Sequence, residues 1–364
     1  MKKTVGIGII GTGFARKVQI PAFLKCEGVS IVSVASGRRE NAEATARQFN
    51  INHFTDDWSE TVGRDEVDLV CITTPPDTHY EMVLRAIELG KHVLCEKPMA
   101  MNESEAREMT EKAEKKGILA LIDHELRFQP GRKLAFKMLR DGEIGKIRHA
   151  KYTFRAPHRG DANLPWNWWS DVASGGGALG AIGSHVIDSL LWFLGSDISQ
   201  IFCQLQTHVK QRREEKAGEM RAVSSDDETN MILRFADGDL TEDATANVSI
   251  SMVELPAYQH SVELAGTKGS MRVEYKGEIF VAKTGERNWR QIENIALGTA
   301  IEGVGDTGFS RCFMEFAPEI IKAIQEGGTK IENAATFEDG LKVQKVLDAA
   351  RESNENGRVI KLSK

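Results

Sequence analysis

Residues 4–39 confine this chain to one kind of opening unit. Val5, Ile7, Ile9 and Ile10, with interspersed glycines, form an apolar run suited to a strand buried on both faces. The turn Gly11, Thr12, Gly13, Phe14 follows, then a short amphipathic segment. A second apolar run, VSIVSVA, ends in Ser36, Gly37, Arg38 and Arg39. Strand, glycine turn, helix and strand together begin a dinucleotide-binding βαβ unit. Gly11 permits the tight turn, and Gly13 lets the backbone approach a pyrophosphate closely. The helix that follows aims its unpaired N–H groups and positive dipole end at that anion. The third position of the glycine fingerprint calls for Gly or Ala and here holds Arg16. The plainer reading of the same residues is a strand closed by a glycine turn, with no nucleotide.

The end of the second strand separates two nucleotides. An NAD site places Asp or Glu there to accept from the ribose 2′-hydroxyl. This chain offers Ser36, Gly37, Arg38 and Arg39, with no carboxylate before Glu40. A hydroxyl and two cations suit a 2′-phosphate, so the sequence favours NADP(H) over NAD(H). Arg16 is a further candidate for that phosphate. The alternative is a pair of solvated arginines ahead of a helix.

A chain of 364 residues exceeds one ordinary core, and two domains are expected. The division is placed at 1–124 and 125–364. A net charge of −6 argues against a nucleic-acid partner, which would require a basic face. No apolar run reads as long enough to span a bilayer. Lys2 and Lys3 ahead of apolar residues imitate a signal peptide, but the run is glycine-punctuated and leads into the fingerprint, so it reads as strand. The five cysteines are scattered, odd in number and without metal-ligand spacing. They read as buried apolar groups in a reducing compartment, which gives a cytoplasmic expectation.

Strands and helices alternate through the first domain: a helix at 41–50, a strand near 53–54, a helix at 58–62 and a buried strand at 67–73. The segment Thr73, Thr74, Pro75, Pro76, Asp77, Thr78, His79 then opens a helix at 80–89. A strand at 92–95 ends in Glu96, Lys97 and Pro98, and a helix at 103–116 with a strand at 118–122 completes the pattern. This is a parallel, doubly wound sheet, whose ligands bind at the carboxyl ends of the strands. The glycine turn, residues 36–39, Thr74 to His79 and Glu96 to Pro98 all fall at such ends. Lys97 is a cation on that edge in a stiff segment before proline. The bland readings are a surface lysine or a partner for Glu96. His79 reads as a residue that caps or packs at the start of its helix.

The second domain reads as mainly antiparallel strands. The runs lie at 146–155, 198–209, 230–235, 244–252, 260–265, 270–275 and 278–282. Residues 211–217 read as a charged, solvated loop, and 298–308 as a mobile glycine-rich segment. Helices are expected at 310–325 and 337–353, with a last strand near 358–362. Three of the six tryptophans, Trp166, Trp168 and Trp169, precede the triple glycine 175–177. So placed, they suit either a wall for a sugar ring or core packing. From 181 to 194 the spacing is helical, with His185 and Asp188 one turn apart on one face. An imidazole there can act as general base near neutral pH, although a lone helical histidine is more often structural.

Taken together, these residues resemble the glucose–fructose oxidoreductase, inositol dehydrogenase and rhizopine-catabolism (Gfo/Idh/MocA) family. The resemblance covers nearly the whole chain. It is carried by the GTGF turn, TPPDTH, the triplet Glu96, Lys97, Pro98, and the pattern Arg127, Phe128, Pro130. The stretch GGGALGAIGSHVID and the terminal ATFEDGLKVQKVLDAA helix complete it. The resemblance implies a Rossmann domain followed by an α/β domain with a large open mixed sheet, mostly antiparallel and often used for dimerisation. It implies a nicotinamide cofactor and a sugar, cyclitol or related polyol substrate. A homodimer or homotetramer is expected, with no metal. It carries over Lys97 as a catalytic lysine and His185 as the active-site histidine. Trp168, from the tryptophan cluster, and Asp188 are candidate substrate contacts.

One departure stands out. Many active members place Asp four residues before the histidine, where this chain has Ala181. That leaves two functional classes: an oxidoreductase using Lys97 and His185, or a cofactor-binding regulator of the same fold without turnover. The presence of both Lys97 and His185 favours the enzyme.

Overall fold

The computed structural model describes residues 4–214, 218–256 and 258–362. Lys2, Lys3 and the last three residues of the 211–217 run lie outside them. The chain divides into two compact units, Met1–Gln129 with Gly298–Leu341, and Pro130–Leu297 with Lys342–Lys364. The sequence reading drew one division after residue 124; here the first unit continues to Gln129 and also takes in a C-terminal piece.

The first unit is built on six parallel strands: β1 (Val5–Ile10), β2 (Val29–Ala35), β3 (His53–Thr55), β4 (Leu69–Ile72), β5 (His92–Cys95) and β6 (Ala120–Ile122). Their order is β3-β2-β1-β4-β5-β6. The direction of winding reverses between β1 and β4, which opens a crevice at the carboxyl ends of the strands. All six residues of β1 are buried, as a strand covered on both faces requires. One face is packed by Val5, Ile7, Ile9, Phe23, Phe128 and the helix Gly308–Gln325. The other carries Ile10, Val70, Ile72 and the helices His79–Glu88 and Glu103–Lys116. The latter helix starts where the Asn102 side chain accepts from Glu105 N–H and stops at Gly117 in the left-handed region.

The helix Gly308–Gln325, read from sequence as part of the second domain, belongs to this first core. Phe313 meets Phe23 edge-on at 5.5 Å, and Phe316 stacks on Phe128 at 4.2 Å. Such aromatic pairs contribute beyond their buried area. Segment 334–337 lies beside β6, where Ile122 N–H donates to the Ala335 carbonyl at 2.9 Å and covers the sheet edge.

An ion pair fixes the same corner. Arg127, 6% exposed at its side chain, lies 3.2 Å from Asp339, which also accepts from Thr336 N–H at 2.8 Å. Burial pushes the Asp339 carboxyl up, but Arg127 and the Thr336 hydrogen bonds outweigh it and hold it below the ordinary value. Because the folded value is lowered, this stabilisation is present above the usual aspartate range near ~3.9 and is lost as pH falls through the folded value. Asp339→Ala leaves Arg127 buried without its carboxylate and is expected to cost about 2 kcal/mol, since Asp339 is partly solvated. Chemical denaturation at pH 7 and at about pH 2.5 checks this, with the deficit shrinking at the lower pH.

The second unit holds a nine-stranded sheet. Its order is Arg290–Gln291, Ile279–Lys283, Gly269–Glu274, Gln259–Gly266, Ile147–Arg155, Thr241–Ser251, Glu228–Phe235, Ile198–Gln206, Ile360–Lys361. Only the pair Ile147–Arg155 with Thr241–Ser251 is parallel. The mixed, mostly antiparallel sheet expected from sequence is therefore present. Helices pack on one face through alternate residues such as Tyr152, whose hydroxyl accepts from Arg132 of the helix Pro130–Arg140 at 2.8 Å. The opposite face carries Ile232, 58% exposed, paired in register with Phe202.

Two sequence readings are corrected here. Gln211–Arg213 is a strand paired antiparallel with Met220–Ala222, not a solvated loop. Arg212 is 1% exposed because its guanidinium donates to the carbonyls of Arg159 and Asp161. The apolar stretch Val172–Leu194 is, at 23 residues, long enough to cross a bilayer, contrary to the sequence reading. Of its most apolar 18-residue window 89% is buried in the protein, as in a core helix.

Candidate active site

In the first unit the expected residues gather along the carboxyl edge of the parallel sheet. Gly11 has φ +98°, and a Cβ there would lie 2.6 Å from the Thr73 carbonyl oxygen, so only glycine fits. Gly13 differs: a Cβ would meet nothing within 4 Å. The protein itself does not demand glycine at 13, and the open space beside a backbone turn is what a close-lying pyrophosphate needs. Thr12 is half-buried at this turn. Phe14 turns its ring inward onto Phe313 at 6.2 Å, so its contribution to a nucleotide site lies in the backbone. The helical segment after the turn opens as a π turn over Ala15–Gln19 and continues as Ile20–Phe23. π turns recur at functional sites.

At the end of β2, Ser36 Oγ accepts from the Arg38 N–H at 3.4 Å, and Gly37, Arg38 and Arg39 are exposed. Arg39 lies over the Phe54 ring at 5.2 Å and 3.3 Å from Asp56, a solvated pair that holds it loosely. Arg16 is exposed and donates to Gln48 at 2.6 Å. Thr74 and Pro75 are half-buried at the end of β4, where the Thr78 hydroxyl donates to Thr74 Oγ1 at 2.7 Å.

His79 departs from its place among the expected cofactor contacts. It is 0% exposed, with Nε2 at 2.9 Å from the Thr74 carbonyl and Nδ1 at 3.1 Å from the Pro98 carbonyl. Burial pushes the imidazole down from its ordinary value while the carbonyls oppose that. Its two nitrogens thus face backbone carbonyls of the loops after β4 and after β5. The packing role read beside it from sequence is the one its surroundings describe.

Glu96 and Lys97 leave β5 at this edge, both half-buried, and the Lys97–Pro98 peptide is cis. Beside them are residues that the sequence reading missed. Asp123 follows β6 directly, is 0% exposed, and accepts from Gln19 Nε2 at 2.8 Å. Glu125 is 3% exposed. Burial, then the charges of Glu125 and Glu96, push the Asp123 carboxyl well above its ordinary value; burial also raises Glu96. The only sequence signal was an acid at a strand's carboxyl end, which usually reads as a solvated exit residue.

In the second unit His185 and Asp188 lie on the helix Ser184–Leu194, 4% and 1% exposed. That helix is preceded by a π turn, Leu179–Gly183, which contains Ala181. Its start is held by Asp226, another residue missed in sequence. Asp226 Oδ2 accepts from Leu179 N–H at 2.8 Å and from the Thr229 hydroxyl at 2.7 Å, and burial raises its carboxyl. A carboxylate at a helix start satisfies an orphan N–H and complements the dipole. Asp226→Ala is expected to cost about 2 kcal/mol by stranding the Leu179 donor, measurable as a lowered denaturation midpoint.

The tryptophan segment resolves into two kinds of residue. Trp166 lies under Arg221 at 3.4 Å and donates Nε1–H to the Ala222 carbonyl at 3.0 Å. Trp169 carries Arg159 at 5.4 Å, whose guanidinium burial and neighbouring Arg212 push down to about 10. Trp168 is half-buried with Trp169 as its ring neighbour at 5.9 Å. Trp166 and Trp169 are thus structural in their contacts, and Trp168 keeps the candidacy for a sugar face. Lys97 and His185 belong to different units.

Comparison with known proteins gives the lineage. The family model for the oxidoreductase family with an NAD-binding Rossmann fold matches residues 5–124. The GFO/IDH/MocA C-terminal domain matches residues 133–272. An uncharacterized oxidoreductase of Synechocystis sp. is 30% identical over 73% of this chain and 70% of its own. Levoglucosan dehydrogenase of Pseudarthrobacter phenanthrenivorans is 28% identical over 96% of each chain. Among solved structures, levoglucosan dehydrogenase in complex with NADH and L-sorbose superposes with TM-score 0.88 at 27% identity, covering 99% of both chains. An oxidoreductase domain protein from Kribbella flavida gives 0.87 at 26%, covering 100% of both. The glycine turn, the six-strand order, the mixed sheet and these matches agree: the chain belongs to the Gfo/Idh/MocA family of NAD-binding, sugar-type oxidoreductases and is an NAD(P)-dependent enzyme acting on CH–OH groups.

Proposed function

We propose that this protein is an NADP(H)-dependent oxidoreductase that interconverts a sugar, cyclitol or related polyol with its keto form. The observation that carries the nucleotide choice is the end of β2, where Ser36, Arg38 and Arg39 stand without an acidic residue ahead of Glu40. Arg38 and Arg39 are exposed there, and the Arg39–Asp56 pair is weak enough to exchange for a phosphate. Gly11, Thr12, Gly13 and Phe14 would hold the pyrophosphate, and Thr74, Pro75 and Glu96 the nicotinamide half, as their positions on the carboxyl edge support. The bound nicotinamide supplies the hydride, exchanged with the carbinol carbon of the substrate.

The residues of the chain then manage the proton. In the oxidative direction His185 takes the hydroxyl proton and the Lys97 ammonium stabilises the developing alkoxide. In the reductive direction both donate toward the carbonyl oxygen. Each positioned acid–base group is worth about 10²–10⁴ in rate. Trp168 and Asp188 are proposed as substrate contacts, the ring stacking on a sugar face. A homodimer or homotetramer is proposed through the open sheet face bearing Ile232 and Phe202, and the cytoplasm as the compartment.

The second reading, a nucleotide-binding regulator without turnover, rests on Ala181 in place of the customary Asp. Fluorescence transfer from tryptophan during titration with NADPH and NADH tests the cofactor proposal first. Tight NADPH with weak NADH is expected, and Arg38→Ala with Arg39→Ala should remove the difference. Tighter NADH, the nucleotide held by the levoglucosan dehydrogenase structure, would mean that the two arginines are solvated surface.

A further inference from the structure

The stretch Ser224, Ser225, Asp226 runs just ahead of the strand Glu228–Phe235 and bonds to successive parts of the segment 169–179. Ser224 N–H donates to the Ser170 carbonyl at 3.0 Å, and Ser224 Oγ accepts from Val172 N–H at 3.0 Å. The hydroxyl of Ser225, a residue 3% exposed, donates to the Trp169 carbonyl at 2.7 Å. The Asp226 carbonyl accepts from Ala178 N–H at 2.9 Å, next to the carboxylate that takes the Leu179 N–H. The stretch is itself pinned. The Thr207 hydroxyl donates to the Ser225 carbonyl at 2.9 Å, and Asp227 accepts from the N–H groups of His208 and Val209 at 2.8 and 2.9 Å. One fixed stretch thus holds the Trp168–Ser170 turn on one side and the approach to the helix Ser184–Leu194 on the other.

The triple glycine closes the gap between them. Gly176 does not have a positive φ, so its backbone conformation does not call for glycine. A Cβ at 176 would instead lie 2.5 Å from the carbonyl oxygens of both Trp168 and Trp169. The chain after the tryptophans folds back onto their own backbone, and glycine is required there by contact alone. A methyl group at 176 must push the tryptophan turn away.

We propose that residues 224–226 are a splint that fixes the Trp168 turn relative to the start of the His185 helix, with Ser225 and Gly176 as positioning residues for the Trp168 ring. A stacking face that is already ordered does not lose affinity to being ordered on binding. The positioning role rests on the proposed contact of Trp168 with a sugar; the splint does not, and two measurements keep these apart.

Hydrogen exchange of the full chain tests the splint without substrate. In Ser225→Ala, amides within 167–174 should exchange about fivefold faster, with those of β1 and β5 as in the wild type. Unchanged exchange in 167–174 would overturn the splint, whatever the enzyme does. Kinetics tests the positioning. The probes are D-glucose, D-galactose, D-xylose and myo-inositol, each with NADP+, and the best used of them is carried through all variants. Trp168→Ala should raise its KM about tenfold. Ser225→Ala and Gly176→Ala should each raise it about threefold, with NADPH Kd unchanged. In the Trp168→Ala background neither should raise KM further. A general loosening of the fold would still act in that background, so additive effects would overturn positioning through Trp168. An unchanged KM in Trp168→Ala, or turnover of none of the four probes, would discard the sugar wall and the positioning role with it, while exchange still decides the splint.

Discussion

Lys97→Met is expected to lower turnover by about 10²–10⁴-fold while dinucleotide affinity stays nearly unchanged. The reason lies in where the residue stands. It follows β5 at the carboxyl edge, half-buried, in a loop braced through the His79 contact with the Pro98 carbonyl. Methionine keeps the length and apolar stem of lysine and removes only the charge and donors. A loss confined to kcat means that Lys97 acts on the reacting oxygen. Equal loss of turnover and of nucleotide binding would reduce it to a binding cation. Steady-state kinetics paired with a nucleotide titration of the same preparation separates the two.

The second large effect contrasts two glycines in one turn. Gly11→Ala puts a Cβ 2.6 Å from the Thr73 carbonyl at a φ of +98°, so it should destabilise the first unit by about 3 kcal/mol. For a domain of this size that is a fall in Tm of about 10 °C. At Gly13 a Cβ meets nothing in the protein within 4 Å, so Gly13→Val should leave Tm nearly unchanged. Its side chain instead occupies the space left for the pyrophosphate, and nucleotide Kd should rise at least about tenfold, or ~1.4 kcal/mol. Thermal melts with and without NADPH check both. A Gly13→Val protein that binds nucleotide normally would remove the turn from the binding site.

These residues also show what a sequence conveys and what it withholds. β5 and the helix Glu103–Lys116 were legible to the residue because apolar periodicity, an Asn cap and a terminal Gly all agree there. The strand, glycine turn and second strand of the opening unit were legible because their signals are local. The membership of Gly308–Gln325 in the first core was not, since Phe313 and Phe316 would be buried against any apolar face. Arg212 read as solvent-exposed because a charge run shows nothing of the carbonyls that will meet it. His79 was read both as a ligand-edge residue and as a packing one, and only the carbonyls of Thr74 and Pro98 decide. Asp123 and Asp226 were passed over because their importance comes from burial beside groups distant in sequence, Gln19 for the first and Leu179 for the second. Ala181 shows the converse: the substitution was visible from sequence, and its consequence for turnover is a matter for kinetics.

Hydride transfer itself is the claim on which the rest depends. The direct test is incubation of the protein with NADPH carrying deuterium at nicotinamide C4 and a panel of keto-sugars and keto-cyclitols, with products analysed by mass spectrometry. Deuterium on the new carbinol carbon of at least one product, lost in Lys97→Met and His185→Ala, is the predicted result. Full nucleotide binding with no deuterium transferred from NADPH or NADH to any member of the panel would contradict it and favour the regulator that Ala181 suggests.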